Sequence, residues 1–197
     1  NNTINIKKIT VNKPLKLDCG ETINNFPIAY ETYGSLNEKK DNAILVFHAL
    51  TGDQFVSGTN PMTKKDGWWS YAVGPDKAMD TNKYFVICAN VIGGCMGSYG
   101  PSNLDPNTNK ILGTNFPIIT INDMVNAQYN LLDFFKIDQL FCVAGGSMGG
   151  MQVLQFVANF PEKAKIAIPI ACTASHSAQN IAFNELGRQS IMADSNW

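Results

Sequence analysis

Gly145-Gly146-Ser147-Met148-Gly149 is the segment whose residue types and spacing point most directly to chemistry. It follows an apolar run and precedes a helical pattern, the setting in which G-x-S-x-G presents a serine nucleophile on a tight strand-to-helix turn. The reason is steric. A turn that sharp needs residues without bulky side chains on either side, so Gly145 and Gly149 let strand and helix approach closely. Ser147 is then lifted to a helix N-terminus, whose free N–H groups favour a developing negative charge. The plainer alternative is a glycine-rich turn with a structural serine, and the strand-turn-helix context favours the nucleophile.

A serine nucleophile attacking a carbonyl also needs an oxyanion hole, formed by the amide of the following residue and one from an earlier strand-end loop. The first donor is Met148. The second should lie directly after the apolar run Ala43–Phe47, in His48-Ala49-Leu50-Thr51-Gly52-Asp53. Leu50 is the donor of choice and Ala49 the other candidate; Gly52 lets the loop turn back over the site. A histidine base oriented by a carboxylate should complete the set, in the chain order serine, acid, histidine. Neither histidine fits. His48 precedes the serine and belongs to the oxyanion loop. His176 comes just past the next strand, before any acid-bearing strand, and reads as a structural residue at a helix start between Ser175 and Ser177. The base is therefore expected outside this chain.

The elements that must position these residues are an α/β set. Polar-apolar alternation in Thr3–Ile6 and Ile9–Val11, with further runs at Lys13–Leu17 and Ile28–Tyr33, predicts a short antiparallel meander. Continuous apolar runs at Ala43–Phe47, Lys83–Ala89, Gln139–Ala144 and Ala164–Ile170 read as strands of a mainly parallel sheet. Long polar loops, Thr51–Pro75 and Gly93–Gly113, separate them, and loops of that length are generally functional. A helix should begin near Thr120, capped by Thr120 or Asn122, with Met124, Val125, Gln128, Leu131, Leu132 and Phe135 on its apolar face. Met151–Asn159 and Ala178–Ala193 read as further helices. Only about three buried parallel-type strands follow the meander, and such sheets are usually larger. The chain is thus expected to be the N-terminal part of a longer protein, with residues 1–177 in the core domain and 178–197 opening a helical lid.

Composition narrows the function classes. Of 197 residues, 45% are hydrophobic and 16% charged, enough for a sizeable core. The net charge is −1, and Arg188 is the sole arginine, so no basic patch for a nucleic acid is expected. No apolar run is long enough to span a bilayer, and the first residues do not read as a secretory signal. Five cysteines without a C-x-x-C pair suggest reduced, mostly buried thiols in a cytoplasmic protein. With two histidines, no metal site is expected.

Taken together, the motifs resemble the homoserine O-acetyltransferase family of the α/β-hydrolase superfamily. The resemblance rests on His48–Asp53, Gly67-Trp68-Trp69, Asn90–Ser98 and Gly145–Gln152, and Ile181–Glu185 with Arg188-Gln189 extends it nearly to the C-terminus. It implies an α/β-hydrolase fold and acetyl transfer from acetyl-CoA, as co-substrate, to the hydroxyl of L-homoserine, a step toward methionine. No other cofactor is implied. The implied mechanism is ping-pong through acyl-Ser147, with Leu50 and Met148 holding the oxyanion. A helical lid that excludes water and pairs two copies into a homodimer is implied as well. The resemblance places the family's aspartate, histidine and carboxylate-gripping arginine beyond Trp197, so His48, His176 and Arg188 do not inherit those roles. Arg188 reads as a lid residue paired with Glu185. Succinyl transfer or a serine acceptor on the same scaffold, a serine esterase, and an inert fragment are the competing readings.

Overall fold

Alternating side chains build the first strand, β1 (Lys8–Val11), in which Ile9 and Val11 are buried while Lys8 and Thr10 face outward. The computed structural model describes residues 6–106 and 108–196. β2 (Leu15–Lys16) and β3 (Thr22–Ile23) form a small antiparallel pair, and β4 (Phe26–Tyr33) returns to pair antiparallel with β1, Ile9 opposite Ile28. One hairpin is therefore nested inside another, in place of the meander of consecutive neighbours that the alternation predicts. Alternation specifies which face of a strand is buried but not which strand it pairs with. Residues 3–5 of the first predicted run lie outside the described residues.

The remaining strands are β5 (Ala43–Phe47), the short β6 (Val73–Gly74) and β7 (Met79–Asp80), β8 (Phe85–Ala89), β9 (Leu140–Gly146) and β10 (Ala164–Ile170). The main sheet has the order β1-β4-β8-β5-β9-β10, antiparallel at its first two junctions and parallel from β8 onward. Every residue of β5 and β8 is buried, as their continuous apolar runs require of strands covered on both faces.

Two kinds of element cover the sheet. Leu45, Phe47, Ile87 and Val143 pack with the helices α1 (Ile121–Phe135) and α2 (Met148–Asn159), through residues such as Val125, Leu131, Val153 and Phe156. Ile44, Val46, Val86 and Ala144 point the other way, against Val56, Val73, Trp68 and Trp69 of the long 51–75 segment. That loop is thus one wall of the core. Trp68 Nε1 donates to the Asp53 carbonyl at 2.8 Å, and the Asp53 carboxylate accepts from Phe55 N–H and Asn60 Nδ2.

Thr120 caps α1 in a capping box. Its hydroxyl accepts from Asp123 N–H at 3.2 Å while the buried Asp123 carboxylate accepts from Thr120 N–H at 2.9 Å. β10 lies at the edge of the sheet, with Ile166, Ile168 and Ile170 each more than two-fifths exposed. The last helix, α3 (Ala178–Met192), is exposed along its whole length and is capped by Ser177. On it Arg188 pairs with Glu185 at 3.3 Å, both in solvent. The thiols divide more evenly than the sequence suggests. Cys88 and Cys142 are buried in strands, Cys172 is half-buried, and Cys19 and Cys95 are exposed, because both sit in loops.

Candidate functional site

β9 runs through Gly146 and α2 begins at Met148, so Ser147 alone makes the turn between them. Its backbone is at φ 55°, ψ −121°, a conformation that costs a non-glycine residue about 1–3 kcal/mol. The surroundings hold it there. Ser147 N–H donates to the Ile170 carbonyl at 3.0 Å, and Met151 N–H donates to the Ser147 carbonyl at 3.0 Å. Because the turn consumes one residue, the helix starts three residues earlier than the predicted Met151.

The flanking glycines are required by close approach. A Cβ on Gly149 would fall deep inside the Phe47 carbonyl oxygen, and one on Gly145 would come within 2.5 Å of the Gly149 carbonyl oxygen. Gly146, between them, has open space around its Cβ position. The end of β5 and the start of α2 are therefore pressed together at the point where Ser147 emerges, exposed.

Beyond Phe47 the chain turns at Ala49, whose carbonyl accepts from Gly52 N–H at 2.9 Å. Leu50 rides on this turn with its side chain 77% exposed. Among the described residues, neither the Leu50 nor the Met148 amide has a protein acceptor. Met148 opens a helix, where unsatisfied N–H groups are expected.

His48 is the buried anchor of this loop. Its Nδ1 lies 2.7 Å from the Ala49 carbonyl oxygen, so Nδ1 carries the proton, and Nε2 accepts from Val91 N–H at 3.1 Å. Asn90 Nδ2 also approaches Nε2, at 3.3 Å, while Asn90 Oδ1 accepts from Met96 N–H. Burial pushes the imidazole pKa below its ordinary value, which keeps the ring neutral. With both nitrogens occupied, His48 has none free to act as a base.

Gln152 supports the same loop from α2. Its Nε2 donates to the carbonyls of His48 and Met148, and its Oε1 accepts from Gln128 Nε2 at 2.7 Å. Sequence reasoning gave Gln152 and Asn90 no role of their own, although both lie in the segments that carry the resemblance. The available signal was an amide inside an otherwise apolar helix pattern, Met151-Gln152-Val153, directly after the glycine turn.

Ser147 opens into a cleft of about 690 Å³ whose lining includes Leu50, Met148, Met151, Cys172 and His176. Leu50 and Met148 also line a smaller neighbouring cavity of about 330 Å³. The structure thus brings Ser147, Leu50 and Met148 to one place. His176 sits at the helix start where the sequence places it, directly before the Ser177 cap; it is exposed, without a hydrogen-bond partner among the described residues, on the cleft rim. The segment from Ala171 to Ser177 lies outside the packed layers, so nothing encloses the ring. No carboxylate lines the Ser147 cleft, and no cluster of three His, Cys, Asp or Glu side chains occurs among the described residues.

Comparison with known proteins adds four likenesses. Residues 42–189 match the family described as alpha/beta hydrolase fold. The chain is 80% identical over 197 residues to a protein of Pelagibacter ubique (strain HTCC1062) named homoserine O-acetyltransferase, covering all of this chain and 53% of that protein. It therefore spans about half the length of that curated relative. Among solved structures, homoserine O-acetyltransferase from Bacillus anthracis aligns with TM-score 0.79 and 30% identity, over 88% of this chain and 48% of that one. The acetyl esterase MekB aligns with TM-score 0.81 and 31% identity, over 96% and 51%.

Proposed function

This chain belongs to the α/β-hydrolase fold family, and on that footing we propose that it carries the nucleophile of an acyltransferase that moves an acetyl group from acetyl-CoA to the hydroxyl of L-homoserine, a step toward methionine. The observation that carries this reading is a strained, exposed Ser147 beside two amides without acceptors, in a chain 80% identical throughout to a protein of that name.

In the proposed reaction the Ser147 hydroxyl oxygen attacks the thioester carbonyl carbon as its proton passes to a base. The resulting oxyanion takes hydrogen bonds from Leu50 and Met148 N–H, each such donor typically contributing about 3–4 kcal/mol to the transition state. The C–S bond then breaks, CoA leaves as the thiol with that proton, and acyl-Ser147 remains. Homoserine's hydroxyl attacks the ester carbonyl, the bond from that carbon to Ser147 Oγ breaks, and homoserine's proton passes through the base to the released Ser147 oxygen. That base is not His48, whose ring nitrogens are both engaged. We place it, with its carboxylate partner and the group that grips the homoserine carboxylate, in sequence outside these 197 residues.

The core is proposed to comprise residues 1–177 and the start of a lid residues 178–197. Asn180 and Asn184 on α3 line the Ser147 cleft, which suits an element that shields the acyl-enzyme from water. The exposed Ile181, Phe183, Leu186 and Ile191 on α3 suit pairing of two copies into a homodimer. The proposed setting is the cytoplasm. No helix among the described residues is long and apolar enough to cross a membrane.

The likeness to an acetyl esterase favours a second reading, in which water accepts the acyl group. The two separate by product. With this chain joined to the remaining portion of the Pelagibacter ubique relative (the completed protein), acetyl-CoA and L-homoserine should yield chiefly O-acetylhomoserine. Acetate as the main product at saturating homoserine would establish the esterase and overturn the transferase.

A further inference from the structure

Two glutamines meet between α1 and α2, and their hydrogen bonds converge on the serine turn. Gln128 and Gln152 are both buried. Leucine or methionine would fill the same space without burying an amide, which is costly unless its polar atoms find partners. Every polar group of Gln152 is engaged. Its Nε2 donates to the His48 carbonyl at 3.2 Å and to the Met148 carbonyl at 3.3 Å, and its Oε1 accepts from Gln128 Nε2 at 2.7 Å. Gln128 Nε2 also donates to the Met124 carbonyl, one turn back on α1, at 3.2 Å. These partners fix the sense of the Gln152 amide. Reversed, it would set its oxygen against two carbonyl oxygens and its Nε2 against that of Gln128.

The two carbonyls held by Gln152 belong to the backbone segments that carry the amides without protein acceptors. The His48 carbonyl leads into the turn that presents the Leu50 N–H, and Met148 supplies the other N–H itself. One side chain thus ties the end of β5 to the first turn of α2. The His48 ring is held separately, by Val91 N–H and Asn90 Nδ2, so Gln152 alone governs the spacing on the α2 side. Two donors stabilise an oxyanion only when both point at the same oxygen, and a displacement of about 1 Å can cost about a hundredfold in rate.

We infer that Gln152 is a positioning residue that sets the separation of the Leu50 and Met148 amides, with Gln128 fixing its orientation from α1. The inference rests on the reading of Ser147 as the acylated nucleophile and of those amides as its oxyanion donors. Gln152 acts through the backbone and does not itself touch the acyl group.

The test is single-turnover acylation of Ser147 in the completed protein, followed by quenched flow and intact mass spectrometry over a range of acetyl-CoA concentrations. Gln152→Met keeps the bulk of the side chain and removes all three bonds. It should lower the saturated rate constant of acylation about tenfold to a hundredfold, with the half-saturating acetyl-CoA concentration within about twofold of the parent, because the bonds lost act in the transition state. A purely structural role would reduce the amplitude, the fraction of protein that acylates, and leave the rate constant unchanged. Val153→Ala, the neighbouring core position on α2, is the control: it loosens packing without touching the loop, and its rate constant should stay within about twofold of the parent. If Gln152→Met does not fold, Gln128→Leu, which removes the bond that orients Gln152, carries the same comparison and should slow acylation about threefold or more. A folded Gln152→Met protein that acylates within about twofold of the parent rate, or a Val153→Ala protein slowed as much as Gln152→Met, overturns the positioning role and leaves Ser147 as nucleophile. Absence of acyl-Ser147 in the unsubstituted protein overturns both.

Discussion

Gly149→Ala is the substitution in which the packing at the serine turn is most sharply exposed. Gly149 is in α2, and alanine in a helix interior is ordinarily worth about 1 kcal/mol over glycine. Against that gain, the new Cβ would overlap the Phe47 carbonyl oxygen, lie 2.8 Å from its carbon and 3.1 Å from the His48 carbonyl oxygen. All three are backbone atoms at the end of the central strand, so no flexible side chain can move aside. Overpacking against such a wall costs about 3 kcal/mol, the upper part of the usual range. The net expectation is a loss of about 2 kcal/mol. With a urea m-value of about 2 kcal/mol/M, the unfolding midpoint should drop by about 1 M. Relief of the overlap would push Phe47 and His48 away from α2 and carry the Leu50 amide with them, and a displacement of about 1 Å can cost about a hundredfold in turnover. Urea titration of the completed protein, with the rate of O-acetylhomoserine formation measured alongside, checks both. Gly187→Ala in α3, where an added Cβ meets nothing within 4 Å, is the matched control and should not destabilise. A Gly149→Ala protein as stable and active as the parent would refute the reasoning.

Three further outcomes are expected. Asp123→Ala removes the buried carboxylate that accepts from Thr120 and Asp18 N–H and should cost about 2 kcal/mol in urea unfolding, whereas loss of an ordinary exposed cap costs about 1. His48 has a folded-state pKa below its ordinary value of 6.5, so the unfolded chain takes up the proton first. Its contribution to stability is complete above pH 6.5 and is lost as pH falls below it, by at most about 1.4 kcal/mol per pH unit. His48→Gln should flatten that part of the stability-pH profile, and an unchanged slope would exclude His48 as its source. Finally, a thiol reagent at neutral pH should label Cys19 and Cys95 quickly and leave Cys88 and Cys142 unreacted until unfolding. Burial pushes the Cys88 thiol well up and that of Cys142 to about 11; mass mapping of the adducts reads the order directly.

The parts of this fold written in local pattern were legible in the sequence. The continuous apolar run Ala43–Phe47 fixes a strand buried on both faces, and Thr120, one of the two predicted caps, is the N-cap of α1. The glycine spacing around Ser147 announces a turn because only glycine fits where α2 meets β5. What escaped is nonlocal. That β1 pairs with β4 around the short β2–β3 hairpin depends on which inward faces meet in the core, and alternation carries no such address. The buried chain from Gln128 through Gln152 to His48 escaped for a related reason. An amide in a helix looks the same in sequence whether it faces water or holds the carbonyl of a strand end 104 residues away.

The central claim is that Ser147 becomes acylated and passes the acyl group to homoserine. The most direct measurement is intact mass spectrometry with peptide mapping of the completed protein after brief exposure to acetyl-CoA, with and without L-homoserine. The account predicts one acetyl group, located on Ser147, that persists in the absence of acceptor and is discharged as O-acetylhomoserine when it is added. An acetyl group on any other residue, or transfer that proceeds unchanged in Ser147→Ala, would contradict it.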